Sequence, residues 1–167
     1  MKKIGATLLT LALLANPAAA HRDRILHVEA DGSIPDIPAE FGPARLILEG
    51  LGSEKPSIQL QIGKHQTTLP SCVAQMVRTK SVADLQLTGS WYHDEKKSLP
   101  YYLNIKFYSP GYDPKRNYNS GHEFLFNLHN AKLIRATAFE ANQSGNGGQG
   151  MALKLSPGCK LEVQAEE

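Results

Sequence analysis

Tyr101-Tyr102-Leu103-Asn104-Ile105-Lys106-Phe107-Tyr108 is the stretch that decides the fold class. Tyr101, Leu103, Ile105 and Phe107 alternate with Tyr102, Asn104, Lys106 and Tyr108. A period of two puts successive side chains on opposite faces of a strand. One face is therefore suited to a core and the other to solvent, the pattern of a half-buried antiparallel strand.

The same alternation recurs on both sides of this segment. Ile58, Leu60 and Ile62 alternate with Ser57, Gln59 and Gln61, and Leu85, Leu87 and Trp91 with Asp84, Gln86, Thr88 and Ser90. Downstream, Phe124, Phe126 and Leu128 alternate with Glu123 and Asn127. Met151, Leu153 and Leu155 keep the period, as do Cys159, Leu161 and Val163. Ile25 to Ala30, Arg45 to Glu49 and Leu133 to Glu140 carry it less regularly. Turn residues fall between most of these runs: Asp31-Gly32, Gly50 to Pro56, Gly63-Lys64, Ser109-Pro110-Gly111 and Ser156-Pro157-Gly158. The expectation is an all-β domain, an antiparallel β-sandwich or flattened barrel. One short helix is expected over Ser71 to Arg78, where Pro70-Ser71 can start a turn and Val73, Met76 and Val77 share a face.

The first twenty of the 167 residues read as a leader. Lys2 and Lys3 precede an apolar run from Ile4 to Ala15, and Asn16-Pro17 then lead to Ala18-Ala19-Ala20, a small-residue cleavage site. The run is shorter than the roughly 20 residues a membrane span needs. No cysteine follows the site to carry a lipid, so no membrane anchor is expected after cleavage. Residues 1–20 are thus read as a signal peptide and 21–167 as one exported domain, periplasmic or secreted. Losing Lys2 and Lys3 leaves 16 of the 18 basic residues against 16 acidic ones, a formal net charge of zero. A neutral chain without a basic stripe is not a nucleic-acid binder by electrostatics.

Cys72 and Cys159 are the only cysteines. In an oxidising compartment an even count favours one disulfide. The other reading is two unrelated buried thiols. Zinc normally takes four nitrogen or sulfur ligands, which two cysteines do not supply.

Chemical motifs point toward binding rather than catalysis. The chain has no G-x-S-x-G elbow, no H-E-x-x-H, no phosphate-binding glycine loop and no dinucleotide fingerprint. Asn142 to Gly150 is rich in glycine but lacks the lysine of a phosphate loop, and reads as a mobile hairpin connection. His93-Asp94-Glu95 suits a charged hairpin tip, and His122 and Glu123 should point to opposite faces of one strand.

Ten of the twelve aromatic residues lie between Trp91 and Phe126. Trp91, Tyr101, Phe107, Phe124 and Phe126 fit the inward phase. Tyr92, Tyr102 and Tyr108 fit the outward one. Tyr112 and Tyr118 belong to the segment Ser109 to Gly121, with Lys115, Arg116, Asn117, Asn119 and Ser120. Tyrosine offers a large contact area at low entropic cost and arginine a fork of donors, so this composition suits an interface with another exported protein. A solvated loop with its tyrosines folded back on the sheet is the alternative.

Two short resemblances bear on function. Ser120-Gly121-His122-Glu123-Phe124 resembles the Ser-Gly-x-x-Tyr loop of periplasmic lysozyme inhibitors, with Phe124 in place of the tyrosine. That resemblance implies an inhibitor or immunity-type action through an exposed loop. His21, the first residue after the cleavage site, resembles the histidine brace of copper-dependent polysaccharide oxygenases and some periplasmic copper carriers. There an N-terminal amine and two histidines hold copper. The implied partner would be one of His27, His65, His93, His122 and His129, unless a histidine merely happens to follow the cleavage site.

Overall fold

The computed structural model describes residues 24–51, 53–77, 87–93, 101–108, 118–142 and 148–165. Within them the chain forms two antiparallel sheets facing each other. The larger contains β1 (Arg24–Leu26), β6 (Leu87–His93), β7 (Tyr101–Tyr108), β8 (Tyr118–Asn127), β9 (Leu133–Asn142) and β10 (Gly148–Ala152), in that order. The smaller is β2 (Ser33–Ile34), β3 (Ala44–Glu49), β4 (Ser57–Ile62) and β5 (His65–Leu69), also in sequence order. From β2 to β5 and from β6 to β10 each strand pairs with its neighbour in the chain. Only β1 reaches across, to β6.

The alternation has the expected consequence. Ile58, Leu60 and Ile62 of β4 and Leu46 of β3 are each 1% exposed, and they face Leu103, Ile105, Phe107, Phe124 and Phe126 across the sandwich core. Phe107 and Phe124 meet edge to face at 5.7 Å between ring centroids, a geometry that adds to simple burial. Trp91 ties the sheets together at one margin, its indole N–H donating to the Asp36 carbonyl at 3.0 Å.

β4 turns into β5 through Gly63-Lys64, where Gly63 has φ of +55°. A two-residue hairpin with glycine at the first turn position matches the twist of its flanking strands. A Cβ on Gly63 would stand 2.8 Å from the Phe41 carbonyl oxygen.

Several expectations need correction. The helix near Ser71 to Arg78 is a single turn, α1 (Ser71–Ala74). The amides of Met76 and Val77 bond only three residues back, to Val73 and Ala74, so the helix tightens and ends; Arg78 lies outside the described residues. Tyr102 was expected to face outward but is 3% exposed, as it stands in a central strand directly opposite Asn127. Leu125, opposite Asn104, is also buried on that second face. Cys159 to Val163 forms no strand. Its Cys159 and Leu161 pack on the core, whereas Val163 is 54% exposed. β10 ends at Ala152, and Met151, in the outermost strand of its sheet, is 42% exposed. Part of the glycine-rich connection is strand, since Asn142 ends β9 and Gly148 to Gly150 open β10.

Candidate functional site

Cys72 and Cys159 are joined by a disulfide with their Cα atoms 6.0 Å apart. It lies close in the chain to both sides of a recess formed by described residues. β5 runs toward the bridge and ends at Leu69, three residues before Cys72. The segment from Lys160 onward leads away from it. Between them lies an open groove of about 680 Å³.

The far wall is held at both ends. Cys159 is covalently fixed, and at the other end the Gln164 amide donates to the Leu133 carbonyl at 2.7 Å while Asn130 Nδ2 donates to Gln164 Oε1 at 3.2 Å. Leu133 can accept because β10 pairs only with Thr137 to Ala141, which leaves the start of β9 uncovered on that side.

Register decides which β5 side chains enter the groove. His65, Thr67 and Leu69 stand opposite Ile62, Leu60 and Ile58, and so share the core-facing side of the sheet. The apolar lining residues include Leu69 and Leu133, each 2% exposed, half-buried Leu161 and exposed Val163, and half-buried His65 and Thr67 join them. Lys132 and Lys160 stand exposed at the rim, with Glu162 the acidic residue of the lining. Gln66 and Thr68 point to the opposite, polar face, where Gln66 Nε2 donates to Gln59 Oε1 at 2.6 Å.

Among the residues singled out from the sequence, the structure unites only the cysteines. Tyr112, Lys115, Arg116 and His21 lie outside the described residues. Tyr118, Ser120 and Gly121 belong to β8, paired with Asn142, Glu140 and Phe139, so the connection is shorter than Ser109 to Gly121. Gly121 is required there by close approach: a Cβ would lie 2.0 Å from the Phe107 carbonyl oxygen and 2.9 Å from Phe139 Cζ. The rings of Tyr108 and Phe139 meet edge to face at 5.5 Å on the two flanks of this glycine, and Lys106 Nζ lies 5.7 Å from the Phe139 centroid.

The groove itself escaped the sequence reading because His65-Gln66-Thr67-Thr68-Leu69 has one apolar residue. The signal that could have found it is Gly63-Lys64, a hairpin turn directly after a strong strand. His129 is exposed, with its ring edge-on to Phe41 at 5.0 Å. His122 is half-buried on the core side of β8, opposite Phe107, and loss of hydration holds its pKa below the ordinary 6.5. Among the described residues no three His, Cys, Asp or Glu side chains gather as a metal site would require. No helix there is long and apolar enough to cross a membrane. Compared with models of protein families, with curated proteins and with solved structures, the chain gives no significant match.

Proposed function

We propose that this chain is an exported binding module, periplasmic or secreted, that captures another exported protein as an inhibitor or immunity-type partner. The observation that carries this reading is the stapled groove. A disulfide fixes one end of its far wall and a backbone hydrogen bond the other. Walls held before contact lower the ordering cost of binding. The leader-like Met1 to Ala20 and the disulfide both suit export. Tyr112, Lys115 and Arg116, which the sequence places between β7 and β8, with Tyr118 at the start of β8, make the second contact surface of this reading.

The test is affinity capture from periplasmic extract and culture supernatant with the purified disulfide-bonded protein. The triple variant Tyr112→Ala, Arg116→Ala, Tyr118→Ala and a groove variant, Lys132→Glu with Lys160→Glu, are run in parallel. One exported protein retained in stoichiometric amount, and lost by a folded variant of either surface, is the expected result. Failure to retain any exported protein stoichiometrically overturns the reading.

A further inference from the structure

We infer that the groove binds an extended, carboxylate-bearing peptide segment, which adds as an antiparallel strand to the free edge of β5. The inference rests on the reading of this protein as a binding module and assigns that module a site and a ligand class.

Backbone geometry comes first. Among the described residues β5 is the last strand of its sheet, so none of them pairs with its outer edge as a strand. In a two-residue hairpin the residues flanking the turn form a hydrogen-bonded pair, here Ile62 and His65. Hydrogen-bonded and non-bonded pairs alternate along an antiparallel ladder. Leu60–Thr67 and Ile58–Leu69 are therefore bonded pairs, whereas Gln61–Gln66 and Gln59–Thr68 are not. The N–H and C=O groups of Gln66 and Thr68 consequently point away from β4, toward the groove. No backbone bond joins them to any described residue beyond the sheet. Such a row of donors and acceptors is a template for an added strand, the basis of β-strand addition in peptide recognition.

Among the described residues the opposite wall forms no backbone hydrogen bond with β5, and the open groove lies between the two. Among the described residues, Lys160 to Val163 make no backbone hydrogen bonds, and the segment is secured only at Cys159 and Gln164. An inserted segment thus meets β5 on one side and the unpaired backbone of Lys160 to Val163 on the other.

Side chains then narrow the ligand. An added strand shows alternate residues to the two faces. Those facing inward would meet Leu161 and Val163, the apolar lining residues with surface to offer, and should be apolar. Those at the rim would meet the ammonium groups of Lys132 and Lys160, both exposed and able to reorient toward a carboxylate. Glu162 disfavours a uniformly acidic ligand, so spaced acids between apolar residues fit best.

The probe is a capped, alternating valine and glutamate octapeptide, titrated into the isotope-labelled, disulfide-bonded protein, with a valine and lysine peptide as comparison. The expected result is saturable perturbation of the Gln66, Thr68 and Lys160 to Gln164 amides, with slowed hydrogen exchange at Gln66 and Thr68. Lys132→Glu with Lys160→Glu should weaken binding about tenfold, because it reverses the rim charge. Thr68→Pro, which removes an outward donor on an edge strand where proline is tolerated, should abolish binding while the melting transition persists. Equal binding of acidic and basic peptides, perturbation confined to other strands, or binding unchanged by the charge reversal overturns the inference. A partner captured from extract by the charge-reversed protein as well as by the native one also overturns it, while leaving the binding-module reading standing. Capture of nothing removes that reading separately.

Discussion

Cys72 and Cys159 sit 87 residues apart in the chain, and their bond joins the foot of one groove wall to the foot of the other. The bridge thus links the end of the smaller sheet to the segment that docks on β9.

Opening that bridge is expected to cost stability through the unfolded chain. A closed loop of this length restricts the unfolded ensemble by about 4–5 kcal/mol in the chain-entropy account. Cys72→Ser with Cys159→Ser should lower the midpoint of denaturant unfolding accordingly. The Gln164 amide, bonded to the Leu133 carbonyl in the native protein, should then exchange faster than it does with the bridge intact. Unchanged exchange there would show that the Gln164 contacts hold the wall unaided.

Gly121 leads to a separate prediction. Its position between Tyr108 and Phe139 leaves no volume for a methyl group, and the nearest obstruction is backbone that cannot rotate away. Gly121→Ala should destabilise the protein by about 1–3 kcal/mol, the usual cost of overpacking. Gly150→Ala, in β10 of the same sheet with nothing within 4 Å of its added Cβ, is the control and should leave the melting temperature nearly unchanged.

The core makes a larger demand. Phe124 is fully buried and meets Phe107 edge to face. Phe124→Ala should cost about 3–5 kcal/mol in equilibrium unfolding, combining lost burial with a cavity. A loss under 1 kcal/mol would mean the two sheets close over the vacated space.

The fold was legible where one face of a strand is apolar and the other polar. Ser57 to Ile62 and Tyr101 to Tyr108 match their observed strands because burial acts on every second residue. β5 was illegible for the converse reason: an edge strand at an open groove buries only Leu69 fully, leaving no apolar period to detect. Tyr102 and Leu125 defeated the phase argument because β7 and β8 bury residues on both faces. The disulfide was readable from cysteine count and compartment. The groove arises from where the bridge lies relative to β5, and linear spacing does not carry that relation.

His122 gives the pH dependence its sign. Burial against the core side of β8 disfavours the imidazolium, so its folded pKa lies below the 6.5 of a hydrated histidine. Between those two values the unfolded chain binds more protons than the folded one. Stability therefore rises with pH through this window, and is lost as pH falls below 6.5. The contribution is complete once pH exceeds the unfolded value. Thermal melts at a series of pH values from 7.5 downward, at constant ionic strength, should show the native protein losing stability more steeply than His122→Gln below pH 6.5. Parallel curves for the two proteins would mean that the imidazole is hydrated in the folded state, and that the acid sensitivity originates elsewhere.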